Sequence, residues 1–503
     1  MKNHADALIF RMAICAEASQ ICLDATPEIA DATFWCAIPS LRFGMEKCMV
    51  VSGDLNKDMQ SFDSFIVGCD DIKTMKCDDE KGLKSCIYYM EVTINTTSFD
   101  GMIVEQEFES IEEAVTALMA GNAIRFIHGH NKAQKILSVG YPMMTIGESR
   151  NEKVLRGSRE GFADSVKTNT ALVRRRMKNN SLRVTEKILG EKSKTMVHVL
   201  YVDGITRKSV LDEAIRRLDN IDFDGICDSG IIEQLTEERT SSPFPQYQTT
   251  ERPDKAVMEL LSGRVVILVD NTPVALLLPT NYSSFFKTVD DYYNRYAIAS
   301  FARIIRYIAA FLAISLPAIY LAVVNFNPEV LPTPLLLAFY EARQSVPFPA
   351  LIEVLLMELS FELLREAGIR IPGPVGSTIS IVGGLIIGQA AVTAKLVSPI
   401  IVIVVAVTAL ASFAVPNEEL TGTFRLLKYF QILLTSVFGL FGIIISWLLI
   451  ISHLSRMKSF NFPYLMPISS DDVNNDNDKM DFIIRFPLKQ LKKKKIYEKQ
   501  KGR

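Results

Sequence analysis

The sequence predicts an α/β region of roughly 300 residues, followed by an α-helical region that crosses a lipid bilayer several times. Charged residues crowd the first 300 positions of the 503-residue chain, whereas four later runs contain none. These runs are Ile308–Val324, Ser377–Ala394, Val397–Val415 and Tyr429–Ser452. About 20 apolar residues cross the hydrocarbon core as a helix, which satisfies its own backbone hydrogen bonds there. We therefore expect an integral membrane protein with a large domain in front.

Four parts follow from this distribution. Residues 1–145 are predicted to form an N-terminal α/β subdomain, and residues 146–296 a helical bridge with a second, related α/β subdomain. Residues 297–457 are the predicted membrane domain, and residues 458–503 a basic C-terminal tail. The first strongly apolar run begins some 300 residues into the chain, so both subdomains are expected in the cytosol.

Alternating strand and helix patterns support the α/β prediction, and an internal repeat supports the division in two. Residues 114–127 align with residues 256–269 at an offset of 142, each as a helix, a glycine and a buried strand. Gly121 and Gly263 suit the left-handed turn that ends a helix. A fainter repeat pairs Met49–Asp54 with Leu200–Ile205. These repeats predict related subdomains at about 45–145 and 190–285, with the bridge at about 150–190.

The front of the chain lacks the usual signatures of an enzyme. Neither a phosphate-binding loop nor a nucleophile-elbow motif occurs, and none of the eight cysteines forms a C-x-x-C pair. His128 and His130 have no acidic or cysteine partner at ligand spacing, so ordinary turn histidines are expected and no metal or cofactor is predicted. Positive charge shows no surplus, which argues against nucleic acid as a partner.

The predicted bridge is rich in charge. It contains Arg156, Arg159 and Glu160, followed by the run Arg174, Arg175 and Arg176. One interpretation is a solvated helix face whose charges pair with one another. The other is a surface that docks to a partner subunit or to anionic lipid headgroups.

The membrane block contains one charged helix, predicted over residues 351–367. Its acidic residues are Glu353, Glu358, Glu362 and Glu366, and Arg365 lies among them. A charge in hydrocarbon is costly, so these groups must face protein, water or the membrane surface. One interpretation is a re-entrant or surface helix with paired charges. The other is a water-filled cation pathway, because acidic side chains concentrate cations in pores.

Polar and small residues occur at helical spacing in the uncharged runs. Gln389, Thr408 and Ser412 are polar at depth and complete the candidate ion pathway. Ser380, Gly384 and Gly388 are four residues apart and are expected to let two helices pack closely.

The two ends of the membrane block are predicted to lie on one side. The tail carries Lys492–Lys495 and further basic residues, which favours a cytosolic C-terminus. Two ends on one side require an even number of crossings, and the four uncharged runs supply four. Arg425 and Lys428 are then expected outside the membrane.

Several motifs between Arg156 and Pro467 resemble the A-subunit family of spore germinant receptors, the GerA type. The matching segments are residues 156–157, 159–162, 174–176, 250–255, 347–349, 362–370, 381–390, 459–460 and 463–464. The chain departs from the family pattern at Ser158, where proline is usual, and at Asn461-Phe462, where Gly-Val is usual.

The resemblance implies a subunit of a receptor in the inner membrane of dormant spores. Such a subunit works with a transporter-like B subunit and a lipoprotein C subunit, and is thought to form a homo-oligomeric, ligand-gated channel for monovalent cations. Glu251 and Arg252 lie in a matching segment and join the arginines and Glu160 above as candidate subunit contacts. One alternative is a SpoVAF-like paralogue that acts in spore ion or dipicolinate release. The other, a secondary transporter, lacks support because no repeat relates the predicted spans.

Overall fold

The computed structural model describes residues 49–78, 84–91, 103–136, 147–149, 151–154, 156–370, 374–466, 468, 481–487 and 489. The first four cysteines and Lys492–Lys495 lie outside these residues, as does the side chain of Ser380.

The first subdomain is a five-stranded antiparallel sheet with two helices. In chain order its elements are α1 (Leu55–Ile66), β1 (Ile72–Asp78), β2 (Lys84–Met90), β3 (Val104–Phe108), α2 (Ile111–Met119), β4 (Ala123–Ile127) and β5 (Ala133–Ile136). The strand order across the sheet is β1-β2-β4-β5-β3. Apolar residues of α1 and α2 pack on one face and form the first core.

The second subdomain repeats this topology. Its elements are α3 (Val166–Arg176), β6 (Leu182–Leu189), β7 (Thr195–Val202), α4 (Lys208–Asp219), α5 (Ser229–Thr236), β8 (Gln248–Thr250), α6 (Pro253–Leu260), β9 (Val265–Val269) and β10 (Ala275–Leu278). The strand order β6-β7-β9-β10-β8 matches that of the first sheet position for position. The predicted pair of related α/β subdomains is therefore confirmed.

The difference in residue number between equivalent elements of the two subdomains increases along the chain, because the second subdomain carries an insertion. It is 111 residues from α1 to α3 and 142 residues from α2 to α6, and α4 and α5 account for the difference. Gly121 and Gly263 end equivalent helices with φ of +95° and +90°, the left-handed conformation that the repeat predicts.

Two details of the predicted division are wrong. Residues 150–190 are not a bridge, because α3 and β6 are the first helix and edge strand of the second subdomain. The edge strand was hard to recognise since charged residues alternate with its buried Leu182 and Val184. The fainter repeat is also misaligned. The amide of Val51 donates to Glu109 O, and at the equivalent place the amide of Phe162 donates to Glu251 O, so residues 49–54 correspond to 160–165.

The second sheet is covered on both faces. Val266 and Leu268 point toward α3 and α6, whereas Val265, Ile267 and Val269 point toward the inserted helices. Phe460 and Phe462, from a short hairpin of β11 (Lys458–Ser459) and β12 (Phe462–Pro463), complete the second face. The chain therefore returns to the front domain after its last long helix.

The helical region follows a short connecting helix, α7 (Asp290–Tyr293). It comprises α8 (Tyr296–Asn325), α9 (Thr333–Arg343), α10 (Ala350–Arg370), α11 (Pro374–Thr393), α12 (Pro399–Phe413), α13 (Glu418–Phe438) and α14 (Leu440–Arg456). Helix α12 is antiparallel to α8, since Ala411 packs near Ala313 while Ser398 lies near Tyr320. The contacts of α13 place it parallel to α8 and antiparallel to both α10 and α14.

One prediction for this region is wrong. The fourth uncharged run is not one helix, because Gly439 adopts φ of +59° and the chain turns back between α13 and α14. Gly442 allows the close approach: a Cβ atom there would lie 2.5 Å from Leu434 O. The position of the charged helix relative to the membrane stays a prediction. Helix α10 packs against α11 and α12, and its buried Glu358 pairs with Lys428 of α13, while Leu359 and Leu363 are exposed on another face.

Both ends of the helical region lie against the front domain. Arg303, near the start of α8, is buried and contacts Asp291 and Asp481. The hydroxyl of Thr423, near the start of α13, donates to Pro243 O, and Ser242 contacts His453 near the end of α14. The helical region therefore begins and ends at the front domain, which requires an even number of long helices running to and from it.

Candidate functional site: an ion-pair network inside the helical bundle

A network of five charged side chains lies between α10 and α13. Lys428 Nζ is 2.5 Å from Glu358 Oε2 and 3.5 Å from Glu362 Oε1. Arg425 Nη1 is 3.4 Å from Glu362 Oε2. The spacing of Glu358 and Glu362 on α10 matches the spacing of Lys428 and Arg425 on α13, because in an antiparallel pair one helical turn faces one turn.

Arg365 completes the network from the next turn of α10. Its Nη2 donates to Ser412 Oγ at 2.6 Å, and its guanidinium carbon lies 4.7 Å from the centre of the Phe413 ring. A cavity of about 10 Å³ is enclosed by Glu358, Glu362, Thr408, Ser412 and the three basic groups, among other residues. That volume is about the size of one water molecule's position.

Burial makes this network energetically important. The side chain of Glu358 is 1% exposed and that of Lys428 is 6% exposed. Removing one partner of a buried pair leaves an uncompensated charge, which costs about 3–5 kcal/mol. Three basic groups face two carboxylates here, so the acidic face of α10 is more than neutralised in this conformation.

The remaining candidate pathway residues lie apart from the network. Glu353 is buried one layer further from the front domain, where its oxygens accept from Arg343 Nε at 3.1 Å and the Ser398 amide at 3.0 Å. Glu366 and Gln389 are exposed. The structure therefore brings together Glu358, Glu362, Thr408 and Ser412.

The small residues of α11 lie at helix contacts. A Cβ atom on Gly384 would lie 3.9 Å from Leu364 of α10, and one on Gly388 would lie 3.2 Å from Val402 of α12. Ser380 is on the same helix, one turn before Gly384.

Most of the residues predicted as subunit contacts form ion pairs or hydrogen bonds within the front domain. Arg175 and Arg176 both pair with Glu160. Burial alone would raise the pKa of Glu160, but these two arginines outweigh it and hold the pKa below its usual value. Arg174 is buried against Asp71, so it joins the second subdomain to the first.

The other members divide between buried and exposed positions. Arg252 is buried, where it donates to both oxygens of Asp254 and to Ser158 O. Glu251 accepts from Ser149 Oγ and from Asn151. Arg156 and Arg159 are exposed, and Arg159 makes a loose pair with Glu148. The side chains of these two arginines are therefore accessible at the surface.

A second buried network joins the front domain to α8. Asp291 accepts from Arg303 and Arg306, and Asp481 accepts from Arg303 Nη1 at 3.0 Å. Burial would raise the pKa of Asp481, but Lys287 and Arg303 outweigh it and lower the pKa. The segment at 481–487 is thereby fixed against the start of the bundle.

Sequence reasoning missed the basic half of the bundle network. Arg425 and Lys428 were expected outside the membrane because they precede an uncharged run. The available signal was their spacing, one turn apart, which matches the spacing of Glu358 and Glu362. Among the residues that the structure describes, no group of three or more His, Cys, Asp or Glu side chains could hold a metal ion.

The family follows from comparison with known proteins. The model of the Bacillus/Clostridium GerA spore germination protein family matches residues 45–497. This protein belongs to the GerA family. Spore germination protein A1 of Bacillus subtilis is 41% identical over 381 residues, which cover 76% of this chain and 78% of that protein.

Other GerA relatives agree with this assignment. Spore germination protein KA of Bacillus subtilis is 41% identical and covers 75% of this chain and 69% of its own length. YfkQ of Bacillus subtilis, described as an uncharacterised membrane protein, is 38% identical over 87% of this chain and 90% of its own. The family and the names of proteins A1 and KA support a role in spore germination, and none of the three names is that of an enzyme.

A solved structure is also similar to the front of this GerA chain. It is the N-terminal domain of the A subunit of the Bacillus megaterium spore germinant receptor GerK3, 25% identical, which covers 47% of this chain and 98% of its own with a TM-score of 0.36.

Proposed function

We propose that this chain is a membrane subunit of a nutrient germinant receptor, and that it oligomerises into a gated cation channel. The observation that carries this proposal is the inverted polarity of the helical region. Its interior holds the charged network of Glu358, Glu362, Lys428, Arg425 and Arg365, while its outside is apolar. Among described residues, 35 large apolar side chains are exposed in residues 296–456, against nine in residues 49–295. An exterior of that kind suits lipid, which does not penalise apolar surface.

Helix lengths support a membrane location for part of this region. Among the described residues, Tyr296–Asn325 is the one helix both long and apolar enough to cross a bilayer. Pro399–Phe413 and Leu440–Arg456 are apolar but shorter, and each pairs with a longer neighbour. The front domain and the hairpin after α14 lie at one end of the bundle, which supports a common cytosolic side for both.

In the proposed channel, the conformation that contains this paired network is the closed one. Acidic rings attract cations in pores, but here basic side chains of the same chain already compensate the two carboxylates. Conduction therefore requires that α10 and α13 separate, or that oligomer formation turns the carboxylates toward a shared axis. The nutrient signal would come from the transporter-like B subunit, with the lipoprotein C subunit as the third component. Arg156 and Arg159 are the candidate contacts that remain exposed.

Two measurements test this function. First, the full chain should stay in the membrane fraction after carbonate extraction; release into the soluble fraction contradicts membrane integration. Second, the chain should be reconstituted with its B and C subunits in vesicles that contain a potassium-sensitive dye. We expect nutrient-dependent potassium flux, and we expect Glu358→Gln and Glu362→Gln to change it.

The matched control is Glu341→Gln, which removes an exposed carboxylate on α9. This control should conduct as the wild type does. Unchanged flux in both α10 variants removes that helix face from the pathway. No flux under any nutrient removes the channel function itself.

One observation favours a second candidate function, that of a paralogue outside nutrient sensing. YfkQ, which matches a larger share of this chain than protein A1 does, is described as a membrane protein and not as a germination protein. Genes for B and C subunits beside the gene for this chain favour the receptor. A SpoVAF-like role in ion or dipicolinate release gains support if such genes are absent and deletion slows that release.

A further inference from the structure

The ammonium group of Lys428 is a single positive charge held between two carboxylates. It is 2.5 Å from Glu358 Oε2 and 3.5 Å from Glu362 Oε1, inside the bundle. Its Nζ also lies 5.3 Å from the centre of the neighbouring Tyr429 ring. The two buried carboxylates supply negative charge and oxygen atoms, which are also what attracts cations in pores.

A second observation points to a ligand position beside this ammonium. Glu358 is fully buried, yet its Oε1 atom has no hydrogen-bond partner in the part of the chain that the structure describes. Buried carboxylate oxygens without a partner are rare, because each loses its hydration without compensation. Glu358 lines the small cavity together with the hydroxyl-bearing Thr408 and Ser412. That cavity has room for one water-sized particle, and its oxygen atoms are of the kind that hard cations prefer.

We infer that Glu358 and Glu362 form a monovalent-cation site, with Thr408 and Ser412 at its edge, and that Lys428 occupies this site as a tethered cation. Lys428 is then an internal competitor: a free cation enters when the ammonium moves away. This inference deepens the proposed channel function, and it rests on that function only for its physiological consequence.

Other charged groups around the site fit the same arrangement. Arg425 contacts Glu362 from α13, and Arg365 is directed to Ser412 from α10. Both line the cavity, and with Lys428 they give three basic groups against two acidic ones. While all three are present, a free cation is repelled. If the charge of Lys428 is removed, two basic groups face two carboxylates. Glu358 then lacks its nearest positively charged partner.

Lys428→Met isolates this effect. Methionine keeps the unbranched stem of the lysine and vacates the position of the ammonium group. The unfolding temperature of the purified full-length variant should be measured in detergent with sodium chloride, potassium chloride or choline chloride at equal ionic strength. Choline is too large for the cavity, so it controls for screening.

We expect the wild type to respond equally to all three salts. Lys428→Met should unfold at a higher temperature in sodium or potassium chloride than in choline chloride, with a shift that grows with the logarithm of salt concentration, as mass action requires. The double variant Lys428→Met/Glu358→Gln should lose this response, since the carboxylate that binds the cation is gone. Lys395→Met, at an exposed lysine, should behave as the wild type.

Equal responses of Lys428→Met to all three salts overturn the inference. So does a variant that fails to fold in every salt while the double variant folds, since free cations then do not replace the ammonium. Restored folding in potassium chloride but not in choline chloride supports it. Because this readout is binding, absence of channel current in vesicles rejects the proposed function and leaves the site untouched.

Discussion

A bidentate ion pair between Arg174 and Asp71 connects the two related subdomains of the front domain. Arg174 Nε and Nη2 lie 2.9 and 2.8 Å from the two Asp71 oxygens, and both side chains are buried. Arg174 Nη1 also donates to Leu182 O, the first residue of the second subdomain's edge strand. A charged residue in a run of three arginines is thus a structural tie and not a free surface group.

Arg174→Ala should therefore destabilise the front domain by about 3–5 kcal/mol, because Asp71 remains buried and uncompensated. The full-length protein in detergent should show a lower unfolding temperature for its front domain. Arg156→Ala, at an exposed arginine, should change stability by about 0.5 kcal/mol or less. Similar effects of the two substitutions would contradict the assigned role of the pair.

We expect the stability of the protein to depend on pH because the pKa of the Glu233 carboxyl group is raised. Its burial, with the nearby Glu419 and Glu237, raises its pKa from 4.5 to about 8. A group whose pKa is higher in the folded state gives stability that is fully present below pH 4.5 and is lost as pH rises through about 8. The unfolding temperature of the wild type should therefore fall between about pH 4.5 and 8, and this contribution should level off above pH 8.

Glu233→Gln should reduce that fall, because the amide does not ionise. The measurement is the unfolding temperature against pH for the variant and the wild type. Glu191→Gln, at an exposed carboxylate, is the matched control and should keep the wild-type slope. An unchanged slope in Glu233→Gln excludes this carboxyl as the source.

Gly442 and Gly422 form a matched pair for helix packing. A Cβ atom on Gly442 would lie 2.5 Å from the backbone oxygen of Leu434, whereas one on Gly422 would lie 3.6 Å from the Arg425 side chain. Gly442→Ala should force α13 and α14 apart and reduce the yield of folded, membrane-extracted protein. Gly422→Ala should be neutral or stabilise by up to about 1 kcal/mol, since alanine favours a helix. Monodispersity after detergent extraction compares the two, and equal yields would refute the tight contact.

Arg303 should control how firmly the segment at 481–487 is fixed. It bridges Asp291 and Asp481, and Arg485 in that segment is buried with bonds to Asn294 O and Tyr292 O. Arg303→Met should release the segment and speed trypsin cleavage after Arg485 several-fold, because proteolysis follows the population of the open form. The exposed Arg295→Met serves as control. Cleavage at the wild-type rate in Arg303→Met would show that other contacts hold the segment.

The sequence determined the parts of this protein that depend on local pattern. Alternating strand and helix runs, and the glycines at equivalent helix ends, specified two related α/β subdomains because backbone conformation at those places depends on few neighbouring residues. The uncharged runs likewise specified an apolar helical region, and the shared motifs specified the family.

Tertiary structure decided which charges meet. Arg174, Glu358 and Lys428 each look like solvent-facing or boundary residues in the sequence, yet each is buried against a partner that is 70 or more positions away. Gly439 decided the count of long helices, since a positive φ turns one apolar run into an antiparallel pair. A hydropathy scale reflects only the cost of burying an isolated charge. The antiparallel packing of α10 on α13 places Glu358 beside Lys428, and this pairing compensates the cost of burying both side chains.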